Sequence, residues 1–255
     1  MSIRPPRLPT AFGSQLVIAH TRSNPFCTRF VRPGSIAYQF HTETKAESST
    51  DQSSIGTSSI GTSSDTNCQR IARQLVAHQR SLIIGPHGTG KTTLLCTLAP
   101  YLEASFDFTL TVRLHAPHTK NPHINNWRAR IANRRQNAKL VHDAIQRLRA
   151  GSGRTLLIID GLEQLSWRAR WWTMWSASST GARILATSHH PTPRFQIVHQ
   201  TWTDSPTIKR LTSQLTADQS NEIQATVNEA LSRRELTPDT NVRDLWFELY
   251  DLVEQ

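Results

Sequence analysis

Gly85-Pro86-His87-Gly88-Thr89-Gly90-Lys91-Thr92 decides how the rest of this 255-residue chain is read. It fits the pattern G-x-x-x-x-G-K-[ST], which arises by chance in about one chain in a hundred of this length. Its flanks give the pattern its context. Ser81-Leu82-Ile83-Ile84 has the continuous apolar character of a buried strand, and Thr93 to Ala99 reads as an apolar helix leaving the loop. Strand, glycine loop and helix make a phosphate cradle. Glycines let the backbone curl with its N–H groups inward, and the positive end of the following helix faces the same point. Gly85, Pro86, His87, Gly88, Thr89, Gly90, Lys91, Thr92 and Thr93 are therefore the candidate nucleotide-binding residues. Lys91 is expected on the β- and γ-phosphates and Thr92 on Mg²⁺.

Beyond the loop, apolar runs alternate with helical patterns. Strands are expected at 82–84, 106–114, 155–159, 183–187 and 195–202, and helices at 68–79, 91–103, 134–150 and 166–177. From 205 onward only helices are expected, at 206–216, 218–234 and 240–254. The alternation predicts an α/β fold of three layers, with a mostly parallel five-stranded sheet and a small C-terminal helical tail. The expected organisation is an N-terminal extension over 1–41, a low-complexity linker over 42–66, a nucleotide-binding core over 67–204 and a tail over 205–255. Residues 53–57 and 58–62 form a tandem Ser-Ser-Ile-Gly-Thr repeat inside the linker. In the extension, Phe26 and Phe30 are expected to pack on the core with Arg29 and Arg32 near the nucleotide; a surface-lying extension fits equally well.

Leu156-Leu157-Ile158-Ile159-Asp160 is an apolar strand ending in a carboxylate. In a parallel sheet that end opens beside the phosphate loop, so Asp160 is the second candidate Mg²⁺ residue. With it, the chain resembles the additional-strand division of P-loop NTPases, in particular AAA+ and STAND ATPases. It is also similar to a group of bacterial AAA-type ATPases with short helical tails.

The resemblance implies ATP and Mg²⁺ as cofactors and a magnesium-dependent ATPase acting as a nucleotide-controlled switch or motor subunit. Many AAA+ proteins carry the catalytic glutamate directly after the strand aspartate, where this chain has Gly161. The run Asp160-Gly161-Leu162-Glu163-Gln164-Leu165 is closer to the STAND form. That carries the water-orienting role onto Glu163; a first-turn acid favoured by the helix dipole is the plainer alternative. The same resemblance implies γ-phosphate contact from Thr187, Ser188 or His189 at the end of the next strand, with Ser188 preferred. It places Arg243 as an arginine reaching back from the tail, against the alternative of a surface residue. Two other functions stand beside the ATPase: a P-loop kinase, and a non-hydrolysing nucleotide-dependent scaffold.

The composition bears on partners. Lys and Arg number 29 against 19 acids, giving +10. Residues 1–80 carry nine basic and four acidic groups, 81–150 ten and three, 151–255 ten and twelve. Arg128, Arg130, Arg134 and Arg135 beside Trp127 admit contact with nucleic acid, or with a neighbouring copy's nucleotide in a homo-oligomer. A protein partner is expected but not identified. Trp167, Trp171 and Trp175, with Trp172, form a stripe at helical spacing that is expected to pack on the sheet or tail. If exposed, it would be a partner surface. His115, His118 and His123 lack a completing cysteine or carboxylate, so no metal is expected there. Cys27, Cys68 and Cys96 suggest no disulfide framework, and Cys96 is expected to be buried. No apolar run has membrane-spanning length, and a cytoplasmic location is expected.

Overall fold

The computed structural model describes residues 24–40, 60–116, 127–238 and 240–254, without the side chains of residues 29 and 60–63. Five strands run β1 (Arg80–Ile84), β2 (Phe108–Arg113), β3 (Thr155–Asp160), β4 (Arg183–Ser188) and β5 (Gln196–Gln200). The helices are α1 (Thr28–Val31), α2 (Ile60–Ala77), α3 (Lys91–Ser105), α4 (Trp127–Arg149), α5 (Trp167–Ser179), α6 (Ser205–Thr216), α7 (Asn221–Ser232) and α8 (Val242–Glu254).

The sheet order is β2-β3-β4-β1-β5 and every pairing is parallel. β1 and β3 are nearly continuous apolar runs because helices cover both of their faces. On one face Leu82, Leu157, Ile159 and Ile184 meet Val141, Ile145 and Leu148 of α4. On the other, Ile83, Ile158 and Leu185 meet Ile71 and Leu75 of α2 and Leu94, Leu98 and Leu102 of α3. β4 lies between β1 and β3, so the loop after β1 and the carboxylate ending β3 face each other across one strand end.

A third cluster joins Ile208, Val227, Leu231, Leu245 and Leu249 of the tail to Phe26. Phe26 therefore docks on the tail, where packing on the core was expected, while Tyr38 and Phe40 of the same segment do pack on the core. Asn24 fastens the Phe26 end, donating from Nδ2 to the Tyr250 carbonyl at 2.9 Å. The tail opens at α6 with Asp204 as its cap, accepting from the Thr207 N–H at 2.9 Å.

Several boundaries differ from the sequence expectation. α2 begins at Ile60, inside the stretch read as linker, and a 2.6 Å bond from the Tyr101 hydroxyl to Asp65 ties its early turns to α3. The remainder of that linker lies outside the described residues. α4 begins at Trp127, because 127–133 contain no glycine or proline to stop it. β2 begins at Phe108, since Phe106 caps α3 and is buried beneath it.

The tryptophan stripe is a correction. Trp167, Trp171 and Trp175 are 76%, 54% and 59% exposed. α5 turns Thr173, Ser176 and Ala177 inward, on the side of the helix opposite the row, so the three indoles face away from the sheet. Trp172 alone turns inward, stacked on His142 with ring centroids 5.0 Å apart. Of the cysteines, all three free, Cys68 is buried and Cys96 only half-buried.

Candidate functional site

β1 delivers the chain into the phosphate loop, and Gly88 shows why the loop needs glycine. Its φ is +75°, and a Cβ there would stand 1.9 Å from Asn241 Oδ1 of the tail. Thr89 braces the loop from below, donating to the Pro86 carbonyl at 2.9 Å and meeting the Thr201 hydroxyl at 2.7 Å.

Lys91, at the start of α3, is held among the same elements. Its Nζ donates to the carbonyls of Gly85 (2.7 Å) and Pro86 (2.6 Å) and lies 3.2 Å from His189 Nδ1. Burial lowers the ammonium to about 8, against the opposing pull of the Glu163 and Asp160 charges. Beside it the Thr92 hydroxyl donates to Asp160 Oδ2 at 2.8 Å. The other Asp160 oxygen accepts from Thr187 at 2.6 Å, and Thr187 Oγ1 in turn accepts from the Gly161 N–H at 2.8 Å. The ends of β3 and β4 are thereby locked together beside the loop.

Gly161 has a backbone reason for being glycine. Its φ is +94°, a left-handed conformation that a side-chain-bearing residue there would adopt only under strain. The chain then makes a short 3-10 turn over Leu162–Gln164, which carries Glu163. Glu163 Oε1 lies 3.1 Å from His189 Nε2, while Oε2 is buried without a partner among the described residues. Desolvation first, then the Lys91 charge, hold His189 below its ordinary range. Nδ1 lies beside both Lys91 Nζ and the Gly85 carbonyl, each at 3.2 Å, and Nε2 faces the Glu163 carboxylate. His87 lies over the same imidazole, 3.5 Å between centroids.

These groups line a cavity of about 470 Å³ at the carboxyl ends of the strands. All the candidate phosphate-loop residues from His87 to Thr93 reach it, as do Asp160, Glu163 and Arg243. Gly85 and Pro86 contribute through the carbonyls that hold Lys91. Ser188 does not line the cavity: it is buried, its hydroxyl accepting from the His190 N–H at 3.4 Å. Thr187 and His189, on either side, reach the cavity in its place because alternate residues of a strand face opposite ways.

Arg32 lines the cavity as expected, and the Arg29 side chain lies outside the described residues. Sequence reasoning missed Tyr38, whose ring covers Gly90 and whose hydroxyl lies 3.2 Å from His199. It also missed Asn241. Neither carries a local pattern that points to the site. Among the described residues no group of histidine, cysteine and carboxylate side chains could hold a metal by itself, and His118 and His123 lie outside them. No described helix is long and apolar enough to cross a membrane.

The donor set suits a hydrated Mg²⁺ bound to phosphates: one hydroxyl and one carboxylate, already 2.8 Å apart, leave most positions to phosphate and water.

No family model and no curated protein matches the chain. Solved structures do. PCH-2 from C. elegans shares 15% identity over 79% of this chain and 71% of its own, with a TM-score of 0.41. Aeropyrum pernix ORC1, solved in complex with DNA, shares 14% over 74% and 60%, at 0.48. AMPPCP-bound DnaA from Aquifex aeolicus shares 14% over 74% and 59%, at 0.42. The chain spans about three-fifths of the length of the latter two. Its own strand order, with the phosphate loop after β1, Asp160 ending β3 and β4 between them, is the α/β fold of the additional-strand P-loop NTPases.

Proposed function

We propose that this chain is a Mg²⁺-dependent ATPase of AAA+/STAND-like type whose nucleotide state sets the position of its helical tail. One observation carries the reading: Asp160 and Thr92, 68 residues apart, meet at 2.8 Å beside the phosphate loop. That is the pair of oxygen donors a Mg·nucleotide site needs. Thr92 and Asp160 would hold the ion, which supplies positive charge for the β- and γ-phosphate oxygens.

Lys91 adds a second positive charge on the phosphates. Glu163, with one buried oxygen unpaired among the described residues, is the group able to orient water for attack on the γ-phosphate. The switch role is supported by the cavity wall, since Asn241, Arg243 and Trp246 of the tail line it together with the phosphate loop. Nucleotide and tail thus share a boundary.

Steady-state ATP hydrolysis and calorimetric binding test this together. Glu163→Gln should bind ATP as the parent does and lose about 100-fold or more in turnover. Lys91→Ala should lose at least about tenfold in affinity, the scale of one charge-assisted contact. Unchanged affinity in Lys91→Ala would sink the nucleotide assignment. Normal binding with no turnover in the parent would leave a nucleotide-dependent scaffold.

A further inference from the structure

The exposed indoles of α5 do not belong to the nucleotide site. Trp167, Trp171 and Trp175 recur every four residues, so they form one row with about 6 Å of helix rise between successive residues. Monomeric surfaces seldom display three such rings together. Next to them α4 and α5 enclose a groove of about 780 Å³, with Trp167, Trp171 and Trp172 on one wall and Lys139 and His142 on the other.

Charge selects the occupant. α4 carries seven lysine and arginine residues and α5 two, with Asp143 as the one carboxylate on the pair. All seven cations of α4 are exposed, and its projecting first turns add Trp127, 60% exposed, beside Arg128.

We propose that this α4–α5 face binds single-stranded nucleic acid. Aromatic rings and cations on one surface supply both halves of that recognition: π-faces for bases, positive charge for the backbone. A row of π-faces along one helix offers successive stacking platforms to the bases of one strand. Paired bases in a duplex cannot enter such a row, so single strands are preferred. An acidic protein segment would satisfy the cations but would use the groove rather than the outer row. The site is also linked to the nucleotide pocket. Arg170 of α5 donates to the carbonyls of Glu163 (3.2 Å) and Leu165 (3.0 Å), so a strand on α5 bears directly on the turn that carries Glu163.

Fluorescence anisotropy of labelled dT20 with the full chain tests the proposal, independently of any ATP turnover. The parent should bind dT20 with an affinity that falls steeply with salt, and should bind a duplex of the same length at least about tenfold more weakly. Trp171→Ala/Trp175→Ala should weaken dT20 at least about tenfold, and Trp171→Phe/Trp175→Phe should keep most of the affinity. Circular dichroism melts establish that the variants fold. Should the alanine pair fail to fold, Lys139→Glu/Arg168→Glu must show the loss instead. No binding of dT20, or equal binding by parent and folded alanine variant, overturns the proposal. So does poly-glutamate that displaces dT20 at matched charge, which would make the face a dock for an acidic protein.

Discussion

Lys91 should make nucleotide affinity depend on pH in a window where lysines are ordinarily indifferent. The ammonium must be charged to hold phosphate, and in the chain by itself burial has brought it down to about 8. Phosphate beside it restores the charged form and lifts its pKa back toward or above the ordinary lysine range. The sign follows. Below pH 8 the lysine is already protonated and affinity is flat. Above pH 8 each binding event must take up a proton, and affinity falls by up to about tenfold per unit. Between pH 7 and pH 9 the loss is about tenfold, with proton uptake rising from about 0.1 to about 0.9 per nucleotide.

The neighbours do not confuse the measurement. His189, held low by burial and by Lys91 itself, is neutral through the window. Calorimetry of Mg·ADP binding at pH 7 and pH 9, in buffers of small and large ionisation enthalpy, reads affinity and proton uptake together. Lys91→Arg is the control, because a guanidinium stays charged and should abolish the dependence whatever it does to affinity. Equal affinity at both pH values, with no proton uptake in the parent, would refute the placing of Lys91 on phosphate.

Phe26→Ala should destabilise the chain by about 3–5 kcal/mol, because the ring is fully buried among α6, α7 and α8; a urea midpoint equal to the parent's would undo the docking of Phe26 on the tail. His189→Ala should lower ATP turnover about tenfold or more while ADP affinity stays within about threefold, since the ring touches Lys91 and Glu163 together. Turnover equal to the parent's would show the ring to be only a wall of the pocket.

What could be read beforehand was what is local. The phosphate loop lies within eight consecutive residues, and Asp160 ends a run whose apolar character fixes it as an interior strand. That glycine follows Asp160 was legible too, though its reason was not: only the backbone reveals the left-handed turn at Gly161 that leaves no comfortable place for a glutamate. Periodicity failed on the α5 tryptophans because it says which residues share a face, not what covers that face. The helix turns its other side, with Thr173, Ser176 and Ala177, to the interior. Tyr38 and Asn241 were invisible for another reason. Each meets the phosphate loop from a distant part of the chain, and the bond that seats the N-terminal segment, Asn24 to Tyr250, joins residues 226 positions apart.

In the site itself, each group proposed to meet Mg·ATP is already bonded to another member of the site or to its own loop. Lys91 holds the Gly85 and Pro86 carbonyls, Asp160 accepts from Thr92 and Thr187, and Glu163 meets His189. Binding therefore exchanges hydrogen bonds rather than adding them, and the net gain per contact is far below its gross strength. The exchange also has an order built into it. His189 touches both Lys91 and Glu163, so drawing Lys91 toward phosphate removes one neighbour of Nδ1 while Nε2 still faces the carboxylate. Nδ1 then keeps the Gly85 carbonyl, 3.2 Å away, as its neighbour, so the placing of the ring proton, and with it the contact to Glu163, responds to the departure of Lys91. Under the ATPase reading, the carboxylate that orients water would be adjusted by the arrival of the phosphate that water attacks. Arg170 clamps the same turn from α5, so the indole face bears on that adjustment from the other side.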